Sequence, residues 1–149
     1  MRYSQTWRVT MGDNHTPEVR SYNMSRIRGK NTKPEILVRK WLFANGFRYR
    51  KNDDDLPGCP DVVLPKYKTV IFVQGCFWHM HDCGRFHWPV TNQEYWERKI
   101  KRNVERDKIN KEKLQSLGWK VIMVWECELK PQCFSETMEN LLYEIRREQ

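Results

Sequence analysis

"QGCFWHMHDC", residues 74–83, sets two cysteines, two histidines and two large aromatic residues within ten positions. Three readings suit such a stretch: a metal site, a catalytic site, or an apolar loop that happens to carry polar groups. "TVIFVQG", residues 69–75, leads into it as a β-branched, apolar run of strand length. "PDVVLP", residues 60–65, precedes that run as another strand, and the "KYK" between them has the length of a hairpin turn. The cluster therefore follows directly on the second strand of that hairpin.

Helical periodicity surrounds these strands. In "NTKPEILVRKWLFANGF", residues 31–47, Thr32 and Glu35 have the spacing of a capping box and Pro34 falls in the first turn. Leu37, Trp41 and Ala44 repeat at helical spacing, and Asn45-Gly46 supplies the stop. "FRYRK", residues 47–51, reads as a further strand. "TNQEYWERKIKRNVERDKINKEKLQSLG", residues 91–118, has helix-forming composition and ends on glycine. "WKVIMVWE", residues 119–126, has the composition of a buried central strand, and "SETMENLLYEIRREQ", residues 135–149, closes the chain as an amphipathic helix. The expected order is α-β-β-β-α-β-α. There are no internal repeats, low-complexity tracts or linkers, so residues 21–149 are expected to form one α/β domain, preceded by a flexible arm over residues 1–20.

Length and charge narrow the function. A chain of 149 residues accommodates one domain with a real core. A formal charge of +8 favours a polyanionic partner, nucleic acid above all, although ribosomal or membrane-surface binding gives the same balance. Seven tryptophans suit stacking on bases, besides their ordinary use in a core. No apolar run approaches the roughly 18 residues that span a bilayer. The opening "MRYSQTWRVTMGDNHTPEVR" has no apolar signal segment, which points to the cytoplasm. Five cysteines interleaved with histidines favour reduced thiols and metal over a disulfide framework.

Zinc takes four thiolate or imidazole ligands in a tetrahedron. Cys76, His79, His81 and Cys83 offer four candidates, and Cys127, at the end of the last strand, offers a fifth. Cys59 and Cys133 are isolated between turn residues. Five candidates for four places leave one group for other work, and spacing alone does not say which. Asp61, directly after Pro60 at a strand start, is the residue type that holds Mg²⁺. Pro-Asp at this position is also common turn chemistry.

The wider pattern settles more than any one motif. "NMSRIRGKNTKPE", "LPGCPDVV", "VIFVQGCFWHMHDC", "EYWERKIKRNVERD" and "LGWKVIMVWEC" together resemble the very-short-patch-repair (Vsr) mismatch endonucleases of bacteria, in order and spacing, over roughly residues 21–129. The resemblance implies a restriction-endonuclease-like fold with a PD-(D/E)xK-type core, a central mixed sheet flanked by helices, and a structural zinc site. It implies an enzyme that nicks the thymine-bearing strand 5′ to the T of a T:G mismatch. It places Asp61 on the Mg²⁺-binding aspartate, His79 on the histidine of proton transfer, and Glu35 on the acidic residue supporting the metal shell. Cys76, His81, Cys83 and Cys127 fall on the zinc ligands. Phe77, Trp78 and Trp96 fall on aromatics that wedge into the duplex, and Met24, Lys99 and Asn103 on residues beside the mispaired bases.

A saturated Cys₃His zinc has no open position, so the hydrolytic metal belongs at Asp61. The chemistry expected is in-line attack of water on a phosphodiester, with Mg²⁺ stabilising charge and His79 moving a proton. Two positions depart from the family pattern: Val73 stands where it has threonine and Gln74 where it has histidine. The metal contact expected at Val73 is a backbone carbonyl, which valine retains, whereas Gln74 alters the outer metal shell.

On the basic helix, Trp96, Lys99, Asn103, Arg106, Asn110 and Lys113 recur at intervals of three and four and share a face. Ile100, Val104, Leu114 and Leu117 suggest a second face toward the core, and Glu97 and Lys101 are spaced to pair. The expected partner is double-stranded DNA with a T:G mismatch, met by a monomer in the bacterial cytoplasm at the nucleoid, with other repair proteins and no membrane. Two rivals stand beside this reading: a nickase of the same fold with another specificity, and a zinc-containing DNA-binding module in which Asp61 is a turn residue.

Overall fold

The structure, a computed structural model, describes residues 31–84 and 86–147. The N-terminal arm and Met24 lie outside the described residues. Helix α1 spans Lys33–Ala44, followed by strands β1 (Val62–Leu64) and β2 (Thr69–Gln74), helix α2 (Gln93–Ser116), strand β3 (Lys120–Trp125) and helix α3 (Pro131–Arg146). The Thr32 hydroxyl accepts from the Glu35 N–H, and the Glu35 carboxylate accepts from the Thr32 N–H, completing the capping box. Both α1 and α2 end on a glycine of positive φ, Gly46 and Gly118. In each case the next N–H, from Phe47 or Trp119, returns to a carbonyl five residues back, Leu42 or Leu114.

The sheet has the order β1-β2-β3 among the described residues. The first two strands pair antiparallel, Val62 with Ile71, around a single 3₁₀ turn at Pro65–Tyr67. Strand β3 runs parallel to β2, from Thr69 beside Lys120 to Gln74 beside Trp125. β2 is thus central and buried at every position but Phe72, whereas β3, expected at the centre, lies at the edge and is mostly half-buried. Its apolar composition instead serves two helix layers. Val124 packs with Val38, Leu42, Met138, Leu141 and Ile145 of α1 and α3 on one face. Val121 packs near Leu114 of α2 on the other. Leu42 is wholly buried there, so truncation to alanine removes roughly 2–5 kcal/mol.

Two further expectations change. "FRYRK" makes only an isolated bridge between Arg50 and Val63, because the chain turns away through Asn52, which is left-handed. The closing helix starts at Pro131 rather than near Ser135, since proline at the first helical position lacks only an N–H that has no helical acceptor.

Candidate active site and metal centre

Strand register brings the site together. β1 starts at the end of the sheet where β2 and β3 finish, so Asp61, the segment after Gln74 and the segment after Trp125 meet there. Gln74 and Trp125 are direct neighbours in the parallel ladder. Cys76 and Cys127 each lie two residues beyond, and the same register places them together.

Tight turns then bring the rest of "QGCFWHMHDC" back on itself. The His81 N–H donates to the Cys76 carbonyl at 2.9 Å and the Cys83 N–H to the His81 carbonyl at 3.0 Å, with Met80 left-handed between. The ligand atoms of Cys76, His81, Cys83 and Cys127 all lie within 4.8 Å of one another. Tetrahedral zinc with sulfur bonds of about 2.3 Å needs ligand separations of roughly 3.8 Å, a small contraction. His81 presents Nδ1, 3.6 Å from the Cys127 sulfur, and its ring lies flat on Trp125 at 3.9 Å between centroids. Burial pushes the Cys76 and Cys127 thiols up and the His81 imidazole down. A bound cation offsets that cost for the thiolates and uses the neutral ring directly, so this donor set fits a soft metal ion. His79 is not part of the cluster. Neither is Cys59, which bonds to Asp54, nor the exposed Cys133.

The acidic half is built on α1. Glu35 is 2% exposed and receives the Thr32 hydroxyl at 2.7 Å and the Arg39 guanidinium at 3.1 Å. Arg39, itself buried, also donates to the Asp61 carbonyl at 2.8 Å, to Asn31 and to Asn52. Asp61 Oδ2 accepts the Val73 N–H at 2.7 Å. Burial first, and then the Glu35 carboxylate beside it, push the Asp61 carboxyl up to about 8, against the opposing pull of Val73 and Arg39. Two carboxylates held together in a poorly hydrated place fit a hard divalent cation, whose charge reverses both effects.

His79 turns away from the cysteines and shares a hydrogen bond between its Nδ1 and Asp107 of α2. The ionised carboxylate is an acceptor only, so Nδ1 carries the hydrogen and Nε2 is left for other partners. Gln74 is 6% exposed. It ends β2 in the alternation that puts Val70 and Phe72 on the α2 side, so its amide shares the side from which Asp107 holds His79.

Phe77 is fully buried and Trp96 is 6% exposed, both packed with Cys76 and Ile100. Trp78 is half-buried, edge-on to Phe77 at 5.3 Å and 5.7 Å from Trp96. The Asn103 amide donates to the Trp78 carbonyl at 3.2 Å, and Lys99 Nζ lies 5.5 Å from the Trp78 ring centre. The Glu97–Lys101 pair forms at 2.6 Å on the exposed side.

The rotation of α2 differs from its expected one. Val104 and Leu117 are 37% and 57% exposed, and the inward stripe runs Trp96, Ile100, Asn103, Asp107, Asn110 and Leu114. The middle of the helix crosses the polar site rather than the core, which puts amides and a carboxylate inward. Asp107 and Arg39, which bond to His79, Glu35 and Asp61, are candidate site residues that motif reading passes over. Both were detectable at i, i+4 spacing, Asp107 from Asn103 and Arg39 from Glu35.

The chain is similar in sequence to several known proteins. The family model described as DNA mismatch endonuclease Vsr matches residues 12–85. The type II nicking enzyme V.NmeAIP of Neisseria meningitidis serogroup A is 51% identical over 137 residues, covering 91% of this chain and 98% of that protein. The type II nicking enzyme V.XorIIP of Xanthomonas oryzae is 45% identical over 119 residues, 80% of this chain and 88% of that one. DNA mismatch endonuclease Vsr of Escherichia coli is 45% identical over 120 residues, 80% and 77% of the two chains. The protein is a DNA-nicking endonuclease with a nuclease fold. It belongs to the Vsr family of DNA mismatch endonucleases.

Proposed function

We propose that the enzyme nicks the thymine-bearing strand of a T:G mismatch, 5′ to the T, on a restriction-endonuclease-like core. The observation that carries this is the convergence, at one end of the sheet, of an acidic pair, a carboxylate-oriented histidine and an aromatic cluster. Asp61, supported by Glu35 and the Val73 carbonyl, would hold Mg²⁺, which supplies charge stabilisation at the scissile phosphate. Cys76, His81, Cys83 and Cys127 would hold zinc, whose role is to fix the loop carrying Phe77, Trp78 and His79.

The chain's own groups do the rest. His79 gives or takes a proton at Nε2, and Asp107 fixes its tautomer and direction. Trp78 enters the stack beside the mismatch, backed by Phe77 and Trp96, which are too deeply packed to lead. Lys99, Asn103 and Met24 meet the mispaired and neighbouring bases. A wobble pair stacks poorly, so opening the stack there costs less than at a Watson–Crick pair, and the wedge reads that difference.

The test is nicking of a T:G duplex against its fully paired control, with and without Mg²⁺, by wild type and Asp61→Ala. Mg²⁺-dependent nicking of the T:G duplex alone, lost in Asp61→Ala, is the expected result. Equal cleavage of both duplexes overturns the specificity, and full activity of Asp61→Ala overturns the site. The name of the Escherichia coli relative favours mismatch repair, and the nicking-enzyme names fit the same chemistry.

A further inference from the structure

The loop that delivers Asp61 rests on the same helix that orients His79. Residues Leu56, Pro57, Gly58 and Cys59 form a turn closed by the Cys59 N–H on the Leu56 carbonyl at 3.1 Å. Proline in the second place and glycine with φ +77° in the third make it a type II turn. Gly58 is needed there for its conformation and also for space. A Cβ on it would lie 3.0 Å from Asn110 Nδ2 and 3.2 Å from Asn110 Cβ and Cγ, so the Asn110 side chain lies flat against the glycine backbone. Leu56 packs near Leu114, one helical turn further on. Pro60 and Asp61 follow two and three residues after the turn's glycine.

Asn110 is three residues beyond Asp107 on the inward stripe of α2. One rigid helix therefore touches both halves of the site: Asp107 holds the His79 ring, and Asn110 holds the turn from which Asp61 emerges.

We infer that Asn110 is a positioning residue, whose contact with Gly58 sets where Asp61 stands relative to His79. The inference rests on the assignment of those two as the reacting groups. The contact works by shape. It requires a side chain branched at Cγ and of asparagine's length, lying on a glycine, rather than any particular hydrogen bond. A displacement of the order of 1 Å between reacting groups is enough to cost roughly a hundredfold in rate, so a gap at this seat reaches the chemistry without reaching the DNA.

Single-turnover nicking of a T:G duplex, duplex affinity and the melting curve are measured for wild type, Asn110→Ala, Asn110→Leu and the control Asp61→Ala. Asn110→Ala is expected to nick roughly ten- to a hundredfold more slowly, with affinity and melting temperature at wild-type values. Asn110→Leu keeps the branched shape against Gly58 and is expected to recover most of the rate. A wild-type rate for Asn110→Ala overturns the inference while the loss of nicking in Asp61→Ala leaves the functional reading standing. A rate for Asn110→Leu as low as that of Asn110→Ala also overturns it, as does a rate loss that follows the melting temperature in both variants. Full nicking by Asp61→Ala overturns the functional reading and this inference together.

Discussion

His79 and Asp107, 28 residues apart in the chain, share a hydrogen bond through the Nδ1 of the imidazole and a carboxylate oxygen. The bond engages Nδ1 and leaves Nε2 as the nitrogen that the proposed proton transfer would use. His79→Ala should lower the nicking rate by about 10²–10⁴-fold, the usual worth of a positioned acid–base group. Asp107→Asn should lose less, because the ring remains but its orientation is no longer enforced. Both variants should keep their metal and their affinity for a T:G duplex. Loss of duplex affinity in Asp107→Asn comparable to its loss of rate would show that Asp107 serves DNA binding instead.

Removing one thiol from the four-residue cluster should be a folding lesion rather than a catalytic one. Cys127→Ser is expected not to retain zinc and to melt well below wild type. Closed metal sites contribute several kcal/mol to folding, and each kcal/mol is worth roughly 2–4 °C in a domain of this size. His81→Ala should do the same, whereas His79→Ala should not. Metal analysis and melting curves on the three variants separate the two histidines, and equal zinc content in His81→Ala and wild type would remove His81 from the site.

Stability should depend on pH through Asp61. Its carboxyl is pushed up to about 8 in the fold from an ordinary 3.8, so the folded protein holds this proton more tightly than the unfolded chain. That contribution is complete below about pH 4 and is lost as pH rises toward 8, where the buried carboxylate must ionise beside Glu35. Mg²⁺ should cancel the loss by taking the place of the proton. Urea midpoints of zinc-loaded protein between pH 5 and 9, with and without Mg²⁺, check this. Asp61→Asn should flatten the slope, and an unchanged slope in that variant would assign the dependence to other groups.

Trp78 is a partly buried aromatic of its cluster and lies beside Lys99 of the basic helix. Trp78→Ala should weaken binding to a T:G duplex by about 1–3 kcal/mol, the usual worth of one base–aromatic stack. Binding to fully paired DNA, held mainly through phosphates, should change much less. Equal losses on both duplexes, together with a lower melting temperature, would make Trp78 a core residue.

The sequence by itself determined the local elements and the chemical inventory. The Thr32–Glu35 capping box, the glycine stops at Gly46 and Gly118, and the hairpin around "KYK" are all short-range, with each signal next to the structure it specifies. The residue types in "QGCFWHMHDC" and Cys127 offered five side chains able to bind metal, and spacing left open which of them meet. Tertiary structure decided how these pieces meet. The parallel register of Gln74 beside Trp125 sets Cys76 against Cys127, and no local pattern encodes a pairing between residues 51 positions apart. The rotation of α2 was likewise decided by what it crosses. Apolar periodicity marked Val104 and Leu117 as inward, but the helix lies over a polar site, so Asn103, Asp107 and Asn110 face in and the two apolar residues face out. A hydrophobic pattern reports the face toward a core, and it fails where the buried partner is a histidine, a carbonyl and a glycine turn.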